Sequence, residues 1–458
     1  MALTLACSAG EPQGTAPEGT APEGTAPEAT SPEATDPAVV WEPCGDGAEC
    51  TTVAVPIDWD QPTTGTLDIA VTRRPATGGP ARGVLLVHPG GPGVAASDWL
   101  QSTPVSDDLN VDHDIVAWNP RGTGDGSRLE CGDGDVPSGA DVHQLGGSGA
   151  ELGRLVDGCV AGSPALVANL GTAQTIRDIE AIRQALGTEQ ISFLGFSYGS
   201  YVGLAYADAF GDRVAAMVLD GVVDPTLDLE GLLGAQAAGI EKLVDKLVAD
   251  PDGGPNLIDG LLADPDVDRN VVAFAAIAAS YAPDFHDDLQ FALRAGADGD
   301  LWLLEDLAES YWSSVEFTAY LGTLCVDLVV PADPDAHGRM VERLTDIAPR
   351  LGAAIANEVA GCALWPQPRR SAPPGPTTSA NAPPVLLVGA TGDLATPASW
   401  ARAVHRRLDN SALLIHKSNR HTSYGSSRCV NDAVEAHLRN PSATMGASTA
   451  PLTCPAGR

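Results

Sequence analysis

Basic residues are scarce in this chain: 26 lysines and arginines stand against 60 aspartates and glutamates over 458 residues, a formal net charge of -34. That balance argues against nucleic acid and anionic membrane surfaces as partners, because phosphate repels so negative a protein. Long apolar runs are missing too. The longest candidate, around Val271 to Ala279, falls well short of the roughly 20 residues a membrane span needs and reads as a core helix. No Cys-x-x-Cys pair and no His-rich spacing offers a metal site, and nothing in the sequence calls for a cofactor.

Glycine, by contrast, is abundant, with 50 residues, and one glycine-flanked serine stands out. Gly195-Phe196-Ser197-Tyr198-Gly199 lies between the apolar run Gln190-Ile191-Ser192-Phe193-Leu194 and a small-residue helical stretch, Tyr201 to Phe210. Strand, sharp turn and helix in that order are what a nucleophile elbow requires, since a serine hydroxyl reacts only when it is lifted clear of the backbone. A glycine-rich chain also produces such a pentapeptide by chance, so its partners carry the argument.

In an α/β-hydrolase arrangement the acid and the histidine follow the serine. Of the late histidines, His405 and His437 read as solvated helix residues within Pro397 to Leu408 and Val430 to Leu438. His416 ends the strand Ala412 to Ile415 and is expected to be packed or paired. His421 remains, in the polar loop Ser418 to Gly425 at the carboxyl edge of a sheet, where a general base belongs. The acid should end the preceding strand, Pro384 to Gly389, which leads through Ala390-Thr391-Gly392 to Asp393. Asp393 is expected to hold the tautomer of His421, with Thr396 bonding the carboxylate locally. The plainer alternative is a turn residue that caps a helix starting at Pro397.

A second glycine-rich loop follows the strand Gly83-Val84-Leu85-Leu86-Val87: His88-Pro89-Gly90-Gly91-Pro92-Gly93. It suits an oxyanion hole, with the N–H groups of Gly91 and Tyr198 as the expected donors. A dinucleotide-binding turn is the competing reading. Pro89 and Pro92 remove donors that a pyrophosphate would want, and the next strand, Asp114 to Trp118, runs into Asn119-Pro120-Arg121-Gly122-Thr123-Gly124 rather than into an acidic residue.

Continuous apolar strands at Val84–Val87, Ile115–Trp118, Ile191–Leu194, Ala215–Leu219 and Val385–Val388 alternate with helical patterns such as Thr175–Leu186. This alternation predicts an α/β fold, a mostly parallel sheet with helices on both faces. Between Leu227 and Pro374 the pattern becomes helical, at Leu232–Val248, Val271–Ala279, Leu301–Tyr311 and His337–Val359, and is expected to form a cap over the serine. The division is therefore a core at 39–225 and 382–458 with a cap at 226–381. Glu305, Glu309, Glu316 and Asp327 are the cap acids that could hold a substrate ammonium, each with a solvated helix face as its plainer reading.

Together these motifs resemble the secreted tripeptidyl aminopeptidases of actinobacteria, α/β-hydrolase serine exopeptidases related to prolyl iminopeptidases. The Gly-Gly-Pro-Gly loop, the Pro-Arg-Gly-x-Gly turn, Gly195 to Gly199, Leu219-Asp220-Gly221-Val222-Val223-Asp224-Pro225, and the late Asp393 and His421 agree in order, and the resemblance runs from Trp41 to the carboxyl end. His88, Asn119 and Arg420 depart from the pattern, where asparagine, aspartate and glycine are usual. The resemblance implies an exported hydrolase that releases short peptides, tripeptides above all, from a free amino terminus. A carboxylesterase or lipase would use the same machinery, and an inactive surface binding lipoprotein would keep the same fold.

Resemblance and chain proximity also imply four disulfides, Cys44–Cys50, Cys131–Cys159, Cys325–Cys362 and Cys429–Cys454, although eight cysteines allow many connectivities. Disulfides imply an oxidising, extracytoplasmic compartment. The ninth cysteine, Cys7, sits in Leu3-Thr4-Leu5-Ala6-Cys7-Ser8, a small-residue setting like the end of a lipoprotein signal. Residues 1–7 are expected to be the remnant of a signal that begins upstream, with Cys7 lipidated as the only membrane attachment. The proline, alanine and glutamate repeat within 8–38 cannot build an apolar face and is expected to be a solvated tether.

Overall fold

The computed structural model describes residues 39–102, 105–132, 149–247, 256–328, 334–366, 383–445 and 451–456. All belong to one compact unit, Ala38–Arg458; the tether and Cys7 lie outside the described residues. Ten strands form one sheet: β1 (Glu42–Gly45), β2 (Ala48–Pro56), β3 (Thr66–Arg74), β4 (Gly83–His88), β5 (His113–Trp118), β6 (Ile191–Phe196), β7 (Val214–Asp220), β8 (Val385–Ala390), β9 (Ser411–His416) and β10 (Leu452–Cys454). Their order is β1-β2-β3-β5-β4-β6-β7-β8-β9-β10. The first three pair antiparallel and continue antiparallel onto β5, and every pairing from β4 to β10 is parallel.

The apolar runs follow from burial on both faces. Leu86, Phe193, Met217 and Leu387 point into one core, while Leu85, Leu194, Val218 and Leu386 point into the other. Helices α1 (Thr172–Ala185) and α2 (Tyr198–Phe210) contribute Ile179, Ile182, Val202 and Leu204 to the first core. Between β7 and β8 come α3 (Leu229–Leu247), α4 (Arg269–Ala279), α5 (His286–Ala297), α6 (Trp302–Trp312), α7 (Phe317–Asp327) and α8 (Gly352–Asn357). Then α9 (Ala398–His405) links β8 to β9, and α10 (Arg428–Arg439) feeds Val430, Val434 and Leu438 into the second core.

Two expectations need correction. The pattern His337–Val359 is not one helix: it is broken between Ile347 and Gly352, around Pro349, where the ring removes a donor and clashes with the preceding turn. His437 is not solvated. It is fully buried where α10 packs on β7, its Nε2 bonds the Pro384 carbonyl at 3.2 Å, and burial pushes its pKa down to about 4. His405 is half-buried and its Nδ1 bonds Ser411, while His416 is buried with its Nδ1 on Ser423.

Four disulfides staple the fold: Cys44–Cys50, Cys131–Cys159, Cys325–Cys362 and Cys429–Cys454. Among the described residues no helix is long and apolar enough to cross a membrane.

Candidate active site

At the end of β6 the chain turns sharply into α2. Ser197 sits in the turn with φ 54° and ψ -122°, a conformation that costs a non-glycine residue about 1–3 kcal/mol and marks functional sites. Its flanks must be glycine: a Cβ on Gly195 would lie 2.4 Å from the Gly199 carbonyl oxygen, and one on Gly199 would lie 2.7 Å from that of His88. The turn is fixed from behind by the Ser197 N–H, which donates to the Asp220 carbonyl at 2.9 Å.

Asp393, in the turn after β8, is buried at 3% exposure. It accepts from the Thr396 N–H and hydroxyl, both at 2.8 Å, and both its oxygens lie 3.0 Å from His421 Nδ1. A carboxylate only accepts, so Nδ1 carries the proton and Nε2 is the basic nitrogen. Burial works to lower the His421 pKa, but the charge and hydrogen bond of Asp393, with help from Asp220, outweigh it and the net shift is upward. The inserted helices also touch this loop. The His421 N–H donates to the Tyr281 carbonyl at 2.7 Å, the Tyr281 ring stands edge-on to the imidazole, and Arg420 pairs with Asp284.

The glycine-rich loop leaves β4 against this elbow. His88 is buried and neutral near pH 7, its pKa pushed down to about 4 by desolvation, and its Nδ1 accepts the Gly90 N–H at 3.1 Å. Asn119 ties its loop to the first turn of the helix Ala96–Ser102 by accepting the Ser97 N–H at 2.9 Å. Arg121 is fully buried on Asp178 and the backbone carbonyls of Pro56, Ile57 and Asn169, so the Pro-Arg-Gly turn is structural. Gly91, Ser197 and Tyr198 line a cavity of about 120 Å³ beneath the inserted helices. Gly91, Ser197 and His421 line an adjoining cleft of about 400 Å³ with Trp99, Tyr281 and Tyr311. Ser197 thus stands between two spaces, with the imidazole on the wall of the second.

The four cap acids are not equivalent. Glu305 and Glu309 are exposed and line neither space. Glu316 accepts the Gly124 N–H at 2.7 Å and pairs with Arg128, and so braces a core loop. Asp327 lines the inner cavity, but its carboxylate is held by Thr172 and the Tyr198 hydroxyl. The acid missed by sequence reasoning is Glu358, just beyond α8. It lines the inner cavity at 5% exposure and accepts from the hydroxyls of Tyr320 at 2.8 Å and Tyr311 at 3.3 Å. Burial pushes its pKa up to about 7 against those two bonds. Its surroundings come from residues distant in sequence, and nothing local in Ala-Asn-Glu-Val could have singled it out.

Residues 83–255 match the family model described as alpha/beta hydrolase fold, and residues 348–449 the model described as TAP-like protein. The first span contains Ser197 and the second contains Asp393 and His421. Carboxylesterase B of Mycobacterium tuberculosis is 32% identical over 436 residues, covering 84% of this chain and 83% of that one. The chain belongs to the TAP-like α/β hydrolases. Serine protease Hip1 of the same organism is 28% identical over 87% of this chain and 88% of its own, and the tripeptidyl aminopeptidase of Streptomyces coelicolor is 27% identical over 90% and 85%. Relatives of this TAP-like hydrolase therefore carry both esterase and peptidase names. The three residues expected to differ from the usual pattern sit beside the glycine loop (His88), against the helix Ala96–Ser102 (Asn119) and on the ion pair to Asp284 (Arg420).

Proposed function

We propose that the protein is a serine exopeptidase that removes short peptides, tripeptides above all, from a free amino terminus. Ser197 attacks the carbonyl, His421 Nε2 takes its proton and later delivers it to the leaving amine, and Asp393 orients His421 and stabilises the imidazolium. The N–H groups of Gly91 and Tyr198 receive the oxyanion. The tripeptide length is drawn from the name of the Streptomyces relatives.

The observation that carries the peptidase reading is Glu358. A buried carboxylate on the wall of the cavity that Ser197 also lines has a natural partner in a substrate ammonium and none in the acyl chain of an ester. An esterase reading is favoured by a different feature, the apolar wall of the same cavity, where Leu229, Leu232, Leu233, Ile240 and Ile277 gather. Tripeptidyl, single-prolyl and short acyl-ester substrates assayed in parallel discriminate the two. Ester turnover with no peptide release overturns the peptidase reading. Fluorophosphonate labelling that vanishes in Ser197→Ala supports the nucleophile, and labelling that survives removes it.

The four disulfides fit an oxidising compartment, and we infer export with Cys7 as the lipidated residue. Mass spectrometry of the native amino terminus tests this; an unprocessed Met1 would be fatal to it.

A further inference from the structure

One buried carboxylate beside the site has no role in that mechanism. Asp220 ends β7, is fully buried, and its Oδ2 accepts the N–H groups of Ser423 and Tyr424 at 2.8 and 2.7 Å, immediately past His421. Its own carbonyl holds the Ser197 N–H. One residue therefore ties together the nucleophile's turn and the base's loop. Its other oxygen, Oδ1, is buried with no hydrogen-bond partner among the described residues, an arrangement that disfavours the charged form. Burial accordingly pushes the Asp220 pKa up to about 6 against the two amide bonds. The following residue backs on to the imidazole: the Cβ direction of Gly221 ends 3.3 Å from His421 Cε1. Asp393 faces the imidazole from the turn after β8 and Tyr281 faces it from the inserted helices, while Arg420 is engaged with Asp284.

We propose that Asp220 is a second carboxylate serving His421, fixing its loop through two amides and supplying negative charge to the imidazolium that forms when Ser197 gives up its proton. Asp220 is a positioning residue, because it acts through His421, and the proposal rests on His421 being the general base. Before reaction its charge lacks a close counter-charge; once the proton reaches His421 it gains one. An interaction stronger in the transition state than in the ground state lowers the barrier.

The test is Asp220→Asn, whose carboxamide keeps an oxygen for both amides while losing the charge. The expected result is a fall in kcat of roughly ten-fold, the equivalent of one pKa unit on the base, with KM unchanged. The acidic limb of kcat/KM, which reports His421 becoming neutral, should move to lower pH. If the amide variant does not fold, Asp220→Ser, with its thermal unfolding measured alongside, removes the charge and the acceptor together, and the shift of the acidic limb is then the deciding readout. A folded variant with wild-type kcat and an unmoved acidic limb overturns the proposal, and a lowered Tm alone would mark a merely structural residue. Ser197→Ala assayed in the same series keeps the two failures apart. If that variant still turns over substrate, the serine mechanism itself is wrong; if it is inert while Asp220→Asn is unaffected, only this inference is lost.

Discussion

Glu358→Gln is the substitution that most sharply separates a peptidase from an esterase. The amide can still accept from Tyr320 and Tyr311, which bond the wild-type carboxylate at 2.8 and 3.3 Å, so the cavity should keep its shape and lose only its charge. A hydrogen bond to a charged partner is worth about 1.5–3 kcal/mol, and kcat/KM for free-amine peptides should therefore fall roughly 10- to 150-fold. Short acyl esters have no ammonium and should be hydrolysed as before. The wild type should also show a pH signature. Glu358 is pushed up to about 7 by burial, and only its ionised form pairs with an ammonium. KM should improve as pH rises through 7 and worsen above about 8, where the substrate amine deprotonates; the first change should be absent from the variant. Stability should move the other way. The folded-state pKa lies above the ordinary 4.5, so ionisation favours the unfolded chain. That penalty is absent below pH 4.5, grows with pH, and is complete above 7 at about 3 kcal/mol. The glutamine escapes it, and its Tm should exceed the wild type's at pH 8 but not at pH 4. Steady-state kinetics on matched peptide and ester substrates decide the matter. Peptide kcat/KM within about two-fold of wild type would refute the reasoning.

Two further substitutions test the rest of the site. Asp393→Asn should lower kcat by about 10,000-fold, because the amide can turn an N–H toward Nδ1 and select the wrong tautomer; stopped assays with a folding control by circular dichroism would check it, and activity within ten-fold of wild type would contradict it. Arg420→Gly removes an ion pair whose Asp284 partner is mostly exposed. Such pairs contribute about 0–1 kcal/mol, so kcat/KM should change less than roughly five-fold; a larger loss in parallel kinetics would mean that the arginine shapes the site.

The legible parts of this molecule are those where a local pattern has a single physical cause. β4, β6 and β8 are legible as buried strands because a parallel sheet covered on both faces favours near-continuous apolar runs, and each observed strand lies within two residues of the run in the sequence. Glycines at 195 and 199 could be read because the elbow leaves no room for a Cβ. The hidden parts depend on tertiary contacts. Glu358 gains its environment from Tyr311 and Tyr320, Asp220 from a loop some two hundred residues away, and His437 from the docking of α10 on β7. Each looks unremarkable in its own segment. The strand β10 is three residues long and parallel to β9, too short for any periodicity to announce it. The break around Pro349 is of another kind: the proline is itself a local signal, and the helices end at Ile347 and restart at Gly352 on either side of it.

The central claim, cleavage behind a free amino terminus by Ser197, is tested most directly by mass spectrometry of the products formed from an unbiased peptide mixture. The account predicts short fragments released only from unblocked amino termini, tripeptides foremost, with acetylated peptides intact and nothing released by Ser197→Ala. Internal cleavage, equal cleavage of acetylated peptides, or product formation by Ser197→Ala would contradict it.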